Sequence, residues 1–212
     1  MKIDQLIQTL SVDAAPKGPS LQARYWLALA IGSLISFGLF IALIGPRGDI
    51  QEAVGTLAFD LKFVVTAALL LPSALLALRL LRPEAKPGQL ALALAVPAAI
   101  LVVAVGVELA TTSSALWASK LVGQNSMHCL KAIPLLAMAP LAALIYVMRG
   151  GAPSSPTLSG AMAGAAAAGI AATLYASNCP DDSPLFVATW YPLATAIVVA
   201  IGALAGNRFL RW

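Results

Sequence analysis

The chain has 212 residues, of which 60% are hydrophobic and 10% charged, and its mean hydropathy is +0.88. Soluble domains contain about 25% charged residues, so no water-soluble fold of this length could bury so much apolar side chain. A formal net charge of +4 could indicate a nucleic-acid-binding protein. The basic residues are better explained by a membrane topology, and we expect no direct contact with nucleic acid.

A polar tail, residues 1–24, precedes the apolar part of the chain, residues 25–212. Apolar residues recur in it at helical spacing: Ile3, Leu6, Ile7 and Leu10. This pattern predicts a short amphipathic helix over about residues 2–12, which the following Pro and Gly residues end. Because so short a helix is marginal in water, it needs the bilayer or a protein groove to bury its apolar stripe. A frayed tail without a role is the alternative.

The tail lacks the continuous apolar core of a secretory signal, so we expect it to stay in the cytoplasm.

Six apolar stretches are long enough to cross a membrane, which takes roughly 20 helical residues. They cover about residues 25–44, 61–81, 89–109, 129–148, 157–177 and 185–205. The second stretch is long enough if Lys62 extends its amine to the membrane interface. The predicted fold class is therefore all-α: a polytopic bundle of six transmembrane helices with a short amphipathic N-terminal helix. The small residues between Gly160 and Ala172 predict close helix packing inside the bundle, with a dimer face as the alternative.

Lys and Arg residues are distributed unequally between the two sides of the membrane. With the N-terminus inside, four of the 13 basic residues fall outside and the other nine fall inside; the four are Arg47, Lys62, Lys120 and Lys131. Because cytoplasmic loops of membrane proteins carry the Lys/Arg excess, we predict a multi-pass protein of the bacterial inner membrane with both termini in the cytoplasm. The outer loops are the longer ones, and the second could contain a short helix around Trp117.

Both cysteines lie at the outer ends of predicted spans. Cys129 begins the fourth span and Cys179 follows the fifth, and antiparallel neighbouring helices would bring these ends together. Disulfides persist in the oxidising periplasm, and a bond forms where the Cα atoms come within about 7 Å. Three interpretations stay open: a structural disulfide, a switchable dithiol that senses an oxidant or a thiol-reactive metal, and two unrelated buried thiols.

Ionisable side chains adjoin both cysteines. His128 precedes Cys129, while Asp181 and Asp182 follow Cys179. A protonated imidazole would raise the thiolate fraction, and the carboxylates would lower it. The five side chains together are also a candidate donor set for a soft or borderline metal ion, although their spacing is not a recognised zinc pattern. A single histidine beside a helix start is more often a solvated or capping group.

The sequence contains no C-x-x-C, G-x-x-x-x-G-K-[ST] or G-x-S-x-G motif, so we expect a protein that is not an enzyme and has no cofactor. A membrane thiol oxidase would need a second redox pair or a bound quinone. The charged residues stay near the span ends, which argues against an ion-coupled pump. A small membrane transporter or a membrane thiol-redox protein is the alternative function.

Three sequence elements resemble the NrsF-like membrane anti-sigma factors: the tail KIDQLIQTLSVDAAP, the stretch SMHCLKAIP and the signature CPDDSPLFVATWY. The resemblance covers essentially the whole chain. It implies a protein that holds an extracytoplasmic-function sigma factor at the inner membrane and releases it on an external stress, often heavy-metal stress. It also implies that Cys129 and Cys179 are the sensing pair.

The tail is the largest cytoplasmic segment in the predicted topology, and we expect it to bind the sigma factor. The expected contact residues are Ile3, Asp4, Leu6, Ile7 and Leu10. In this hypothesis, a change of state at the cysteines shifts the fourth and fifth helices against each other. The shift then alters how the tail is presented, and the sigma factor dissociates.

Overall fold

The computed structural model describes Ile3 and residues 18–211. Eight α-helices follow one another along residues 18–211: α1 Leu21–Leu43, α2 Ile50–Ala53, α3 Leu57–Arg79, α4 Val96–Thr111, α5 Trp117–Val122, α6 Ser126–Met148, α7 Pro156–Ala176 and α8 Pro184–Phe209. No strand occurs among the described residues. Six helical segments are long and apolar enough to cross a membrane, so the predicted all-α bundle of six spans is confirmed. The short helix predicted around Trp117 is α5.

The third span differs most from its prediction. It starts as a 3₁₀-helix over Gly88–Ala95 and becomes α-helical only at Val96. Pro97 lacks an N–H and therefore cannot donate the α-type hydrogen bond to the Ala93 carbonyl. Proline is favoured in the first turn of an α-helix, where that N–H would have no partner anyway. The change of helix type coincides with that residue.

The two ends of the bundle are distinct. We call the end that contains Cys129 and Cys179 the thiol end, and the opposite end, where α1 starts and α8 finishes, the tail end. Of the predicted tail helix, only Ile3 belongs to the described residues; it is helical and exposed. The other predicted contact residues, Asp4, Leu6, Ile7 and Leu10, lie outside them.

Helices α7 and α8 make the most extensive contact in the bundle, and glycines line it. A Cβ on Gly160 would overlap the carbonyl of Gly202, and a Cβ on Gly206 would overlap that of Pro156. Only hydrogen at these positions lets the two backbones approach so closely. The small residues of the fifth span therefore pack inside the bundle, as one of the two sequence interpretations had it.

Helix α1 packs on α6 at a proline. A Cβ on Gly32 would overlap the Cα of Pro140, and the Ser36 hydroxyl donates a 2.6 Å hydrogen bond to the Leu136 carbonyl. That carbonyl has no α-type donor of its own, because residue 140 is a proline. A serine of α1 therefore completes the hydrogen bonding of α6, and the contact fixes the two helices against each other.

Candidate functional site

Both cysteines lie at the thiol end with free, fully buried thiols. Cys129 is in the first turn of α6, where its N–H donates to the Asn125 carbonyl at 2.8 Å. Cys179 follows α7, and its N–H donates to the Tyr175 carbonyl at 3.0 Å. The two side chains belong to one buried cluster. The helix ends thus bring together two residues that are far apart in the sequence.

Two tyrosines surround the thiols. The Tyr175 hydroxyl donates a hydrogen bond to the Asn125 carbonyl at 3.5 Å, and the Tyr175 ring lies 5.9 Å from that of His128 and 6.1 Å from that of Tyr191. The imidazole of His128 is exposed and stacks on Tyr175. The Tyr191 hydroxyl is buried and has no hydrogen-bond partner among the described residues. The thiols are therefore packed against aromatic side chains and shielded from water.

Lys62 does not extend its amine to the membrane interface, so that prediction is wrong. The side chain is completely buried, and its ammonium lies 2.5 Å from Oδ1 of Asp182 and 2.8 Å from the carbonyl oxygen of Cys179. It also lies 5.1 Å from the ring centroid of Phe59. A buried ammonium is stable only where such partners replace its hydration. This lysine therefore fixes the backbone of a cysteine in place.

Arg47 is the second cation at Asp182. Its guanidinium donates to Oδ2 of Asp182 at 2.9 Å and to both carboxylate oxygens of Asp49 at 2.6 and 2.7 Å. Its backbone N–H donates to the Ser177 carbonyl at 3.1 Å. Asp182 thus joins the connection between α1 and α3 to the loop between α7 and α8.

Asp181 holds the start of α6. One of its carboxylate oxygens accepts hydrogen bonds from the backbone N–H of Asn125 at 2.9 Å and from its side-chain amide at 3.0 Å. The backbone N–H of Gln124 donates to the same carboxylate at 3.1 Å. Gly123 adopts a φ of +57°, and a Cβ there would overlap Phe186 and the carboxylate of Asp181. The glycine therefore permits both the turn and the close approach.

Glu108, at the end of α4, holds the start of α8. Its carboxylate accepts hydrogen bonds from the Ser183 hydroxyl and the Leu185 N–H, each at 2.9 Å, and lies 3.0 Å from the ammonium of Lys120. A carboxylate is favoured at a helix N-terminus because it accepts from N–H groups that have no partner within the helix. Through these polar contacts Glu108 attaches α4, a helix with few buried residues, to the start of α8.

Residues 177–185, the 177–185 loop, consequently contact every other connection at the thiol end. The metal site predicted from His128, Cys129, Cys179, Asp181 and Asp182 is not assembled here: among residues 18–211 no group of three or more His, Cys, Asp or Glu is placed to hold a metal ion. The two aspartates instead bind Asn125, Arg47 and Lys62. A metal site of these residues stays a prediction, and it would require the loop to rearrange.

Burial raises the pKa of the Cys179 thiol above its usual range. A hydrogen bond with the backbone of Asp181 and the nearby ammonium of Lys62 oppose this shift only in part. The thiol is therefore neutral at physiological pH, and the thiolate is the reactive form. A soluble reagent must open the packing around this cysteine before it can react.

Sequence reasoning missed the ionic network that surrounds the cysteines. In the sequence these charges lie near span ends, and no local pattern assigns them partners. A signal was present, since a lysine and a glutamate lay inside apolar spans and two adjacent aspartates lay on the same side of the predicted membrane. Ionisable groups in such positions usually pair with one another.

Comparison with known proteins identifies the family. Residues 10–212 match the family model described as "Negative regulator of sigma F". The chain is 32% identical over 213 residues to the "Probable anti-sigma-F factor NrsF" of Azospira oryzae and 32% identical over 216 residues to the "Anti-sigma-F factor NrsF" of Caulobacter vibrioides. Both matches cover 100% of this chain and of the relative. No solved structure matches it. The chain therefore belongs to the NrsF family of negative regulators of sigma F.

Proposed function

We propose that the chain is an inner-membrane anti-sigma factor that sequesters an extracytoplasmic-function sigma factor and releases it when Cys129 and Cys179 change state. Family membership supports the anti-sigma role, since both relatives are named anti-sigma-F factors. One structural observation supports the sensing role. The two free thiols are buried beside the 177–185 loop, whose contacts hold together all the connections at the thiol end.

In the proposed orientation the thiol end faces the periplasm and the tail end the cytoplasm. The excess of Lys and Arg at the tail end favours this orientation. Oxidation, or ligation of a thiol-reactive metal, would then act in the compartment where thiol states differ most from the cytosol. Oxidation changes the volume of a fully buried site, and metal ligation changes both its volume and its charge. A well-packed interior cannot absorb such a change without moving a helix.

The movement has a physical route to the tail end. Cys129 begins α6, and α6 is fixed to α1 through the Gly32–Pro140 contact and the Ser36 hydrogen bond. At the other end of α1, the Tyr25 hydroxyl donates to the Ala74 carbonyl of α3 at 2.8 Å. Helix α1 is therefore the element that a shift of α6 would displace, and residues 1–20 precede it directly.

The sigma factor would bind the tail through Ile3, Asp4, Leu6, Ile7 and Leu10. The remaining tail-end connections, residues 80–87 and 149–155, are too short to wrap a partner. A cavity of about 520 Å³ lies where the tail joins α1, lined by Leu21, Arg79 and Arg82 among others. This basic cavity is adjacent to the proposed contact and suits a partner with acidic side chains.

Release must follow from a difference in affinity between two helix arrangements. A complete reversal from bound to free requires the stress to favour the releasing arrangement by about 5.5 kcal/mol. Covalent oxidation or ligation of two thiolates is strong enough for this, whereas a weak surface contact is not.

The test is co-purification of the sigma factor with the full-length chain from solubilised membranes. Replacing the apolar stripe, Leu6, Ile7 and Leu10, with serine should abolish recovery. Replacing Gln5, Gln8 and Thr9 with alanine alters the polar face of the same segment and should leave recovery unchanged. Mass spectrometry of the recovered protein identifies the sigma class. Equal recovery with both triple variants would place the contact elsewhere than in the tail.

A further inference from the structure

The cavity of about 520 Å³ at the tail end lies where α1 begins and α3 ends. Its volume is in the range of pockets that hold small-molecule ligands, about 300–1,000 Å³. Part of its lining is apolar and comes from Leu21 of α1 and from Leu75 and Leu78 of α3. Another part is basic, with Arg79 at the last position of α3 and Arg82 in the connection that follows. The cavity therefore suits a molecule that has both an anionic group and an apolar part.

The positive charge of the two arginines is not neutralised within residues 18–211. Arg79 and Arg82 are exposed, and the ion pairs among these residues all lie at the thiol end. Glu84 is the one acidic residue in the connection 80–87, and it forms no ion pair with either arginine. Both guanidinium groups are therefore available to an anion from outside this part of the chain.

The guanidinium of Arg79 lies beside the turn that begins the third span. Gly88 adopts a φ of +59°, and a Cβ there would lie 3.3 Å from Nη1 and 3.4 Å from Nη2 of Arg79. Because glycine has no Cβ, the guanidinium can pack closely against the backbone at this point. A guanidinium donates paired N–H groups that match the oxygens of a phosphate. A side chain that is already packed in place loses less conformational freedom when it binds.

The position of the cavity favours a lipid over other anions. The residues before Arg79 form an apolar span, so the cavity lies at the boundary between the hydrocarbon core and the headgroups. Basic pockets between transmembrane helices at this level bind anionic headgroups. A phospholipid brings a phosphate and acyl chains in one molecule, and it would cover the leucines as well as pair with the arginines. Carboxylates of a protein partner would pair with the arginines alone.

We propose that this cavity binds an anionic phospholipid, whose phosphate pairs with Arg79 and Arg82 and whose acyl chains lie on Leu75 and Leu78. Ser20 and Gln22 also line the cavity, at the point where the tail meets α1. A bound lipid would therefore hold the base of the tail against the end of α3. The regulatory meaning rests on the proposed function, because the sigma factor would bind the tail. Binding of the lipid itself does not depend on that function.

The test titrates the purified full-length protein in detergent with phosphatidylglycerol and measures the first bound lipid by native mass spectrometry. We expect binding at a lower concentration than for phosphatidylcholine, whose choline cation neutralises the phosphate. Replacing Arg79 and Arg82 together with glutamine should weaken binding of phosphatidylglycerol by about tenfold or more. The matched control replaces Arg149 and Arg208 with glutamine. Both are exposed arginines of the tail end that do not line the cavity, so binding should be unchanged.

Glycerol 3-phosphate tests whether the acyl chains contribute. It carries the phosphate without the apolar part, so it should not displace phosphatidylglycerol at equal concentration. Should the glutamine pair fail to fold, replacing Arg79 and Arg82 with lysine keeps the charge and removes the paired N–H donors, which should still weaken binding.

Three results would overturn the proposal. The first is equal binding of phosphatidylglycerol by the wild-type chain and the variants of Arg79 and Arg82. The second is an equal loss of binding in the control pair, which would show a general attraction to positive charge. The third is displacement of the lipid by glycerol 3-phosphate, which would show an anion site that does not use the leucines.

Sigma-factor recovery with the same variants distinguishes the two proposals. The serine variant of Leu6, Ile7 and Leu10 should lose the sigma factor and keep phosphatidylglycerol. Loss of the sigma factor from the Arg79 and Arg82 variant with unchanged lipid binding would assign the cavity to the protein partner and overturn the lipid site. Selective lipid binding by a wild-type chain that recovers no sigma factor would support the lipid site and contradict the proposed function.

Discussion

The ammonium of Lys62 lies 2.5 Å from the carboxylate of Asp182, and the same ammonium binds the carbonyl oxygen of Cys179 at 2.8 Å. An ion pair between α3 and the 177–185 loop therefore fixes the backbone of a cysteine. Because the lysine is completely buried, loss of Asp182 would leave the ammonium in a poorly hydrated place, whereas loss of Lys62 would leave Asp182 paired with Arg47. The thiol end is consequently held by a small number of strong polar contacts.

Removing the charge of Asp182 should destabilise the protein more than removing that of Lys62. Asp182→Asn leaves a buried ammonium without a counter-ion, which costs about 3–5 kcal/mol of unfolding free energy. Lys62→Met costs less, because Asp182 keeps its contact with Arg47. The double variant should be more stable than Asp182→Asn alone. Denaturant unfolding in detergent measures these differences.

Asp49→Asn changes an exposed carboxylate of the same network and serves as the control. Additive losses in the double variant would show that the pair is not coupled.

Glu108→Gln should loosen the attachment of α4 to α8. The amide loses the charge that Lys120 pairs with and one of the oxygens that accept from Ser183 and Leu185. We expect faster amide hydrogen exchange in the last turns of α4 and the first turn of α8. Glu52→Gln removes the charge of an exposed carboxylate on α2 and should leave this exchange unchanged. Identical exchange in all three proteins would mean that apolar packing alone positions α4.

Ser36→Ala should uncouple the two ends of the bundle. The change leaves the Leu136 carbonyl without a donor, at a cost of about 1–3 kcal/mol, and loosens α1 against α6. We expect a sigma-dependent reporter to respond less to oxidant or metal while sigma binding at rest is retained. The matched control is Ser33→Ala, since the Ser33 hydroxyl bonds only to the Leu29 carbonyl of its own helix. A full response from the Ser36 variant would exclude this contact from transmission.

Charged, membrane-impermeant maleimides should label neither Cys129 nor Cys179 in the folded, reduced protein. Both thiols are buried, and burial raises the pKa of Cys179, which keeps that thiol neutral. An exposed cysteine introduced by Ser113→Cys at the same end gives the reference rate, and labelling after denaturation gives the total. Labelling of the native thiols at the rate of the exposed reference would contradict the burial of these thiols in the folded protein.

The sequence predicted the features that depend on local pattern. The lengths of the uninterrupted apolar stretches located the six spans. Because consecutive spans run in opposite directions, the order of the spans placed Cys129 and Cys179 at the same end of the bundle. The sequence did not indicate where the Lys62 amine lies. Snorkelling is predicted from the distance between a lysine and the membrane interface, whereas the partner of this lysine, Asp182, lies 120 positions away in the sequence. The change from 3₁₀- to α-helix at Val96, beside Pro97, was not among the sequence predictions. The metal site was predicted because its donor residues are neighbours in the sequence. In the fold, Asp181 binds Asn125 and Asp182 binds Lys62 instead.

The central claim is that the two thiols control release of the sigma factor. Its most direct measurement is a sigma-dependent reporter in cells that express the wild-type chain, Cys129→Ser, Cys179→Ser or the double variant, each exposed to oxidant or heavy metal. Sigma-factor recovery from unstressed cells confirms that each variant still binds. We predict that every serine variant binds the sigma factor at rest and that none releases it on stress. A wild-type response from the double variant would contradict the account.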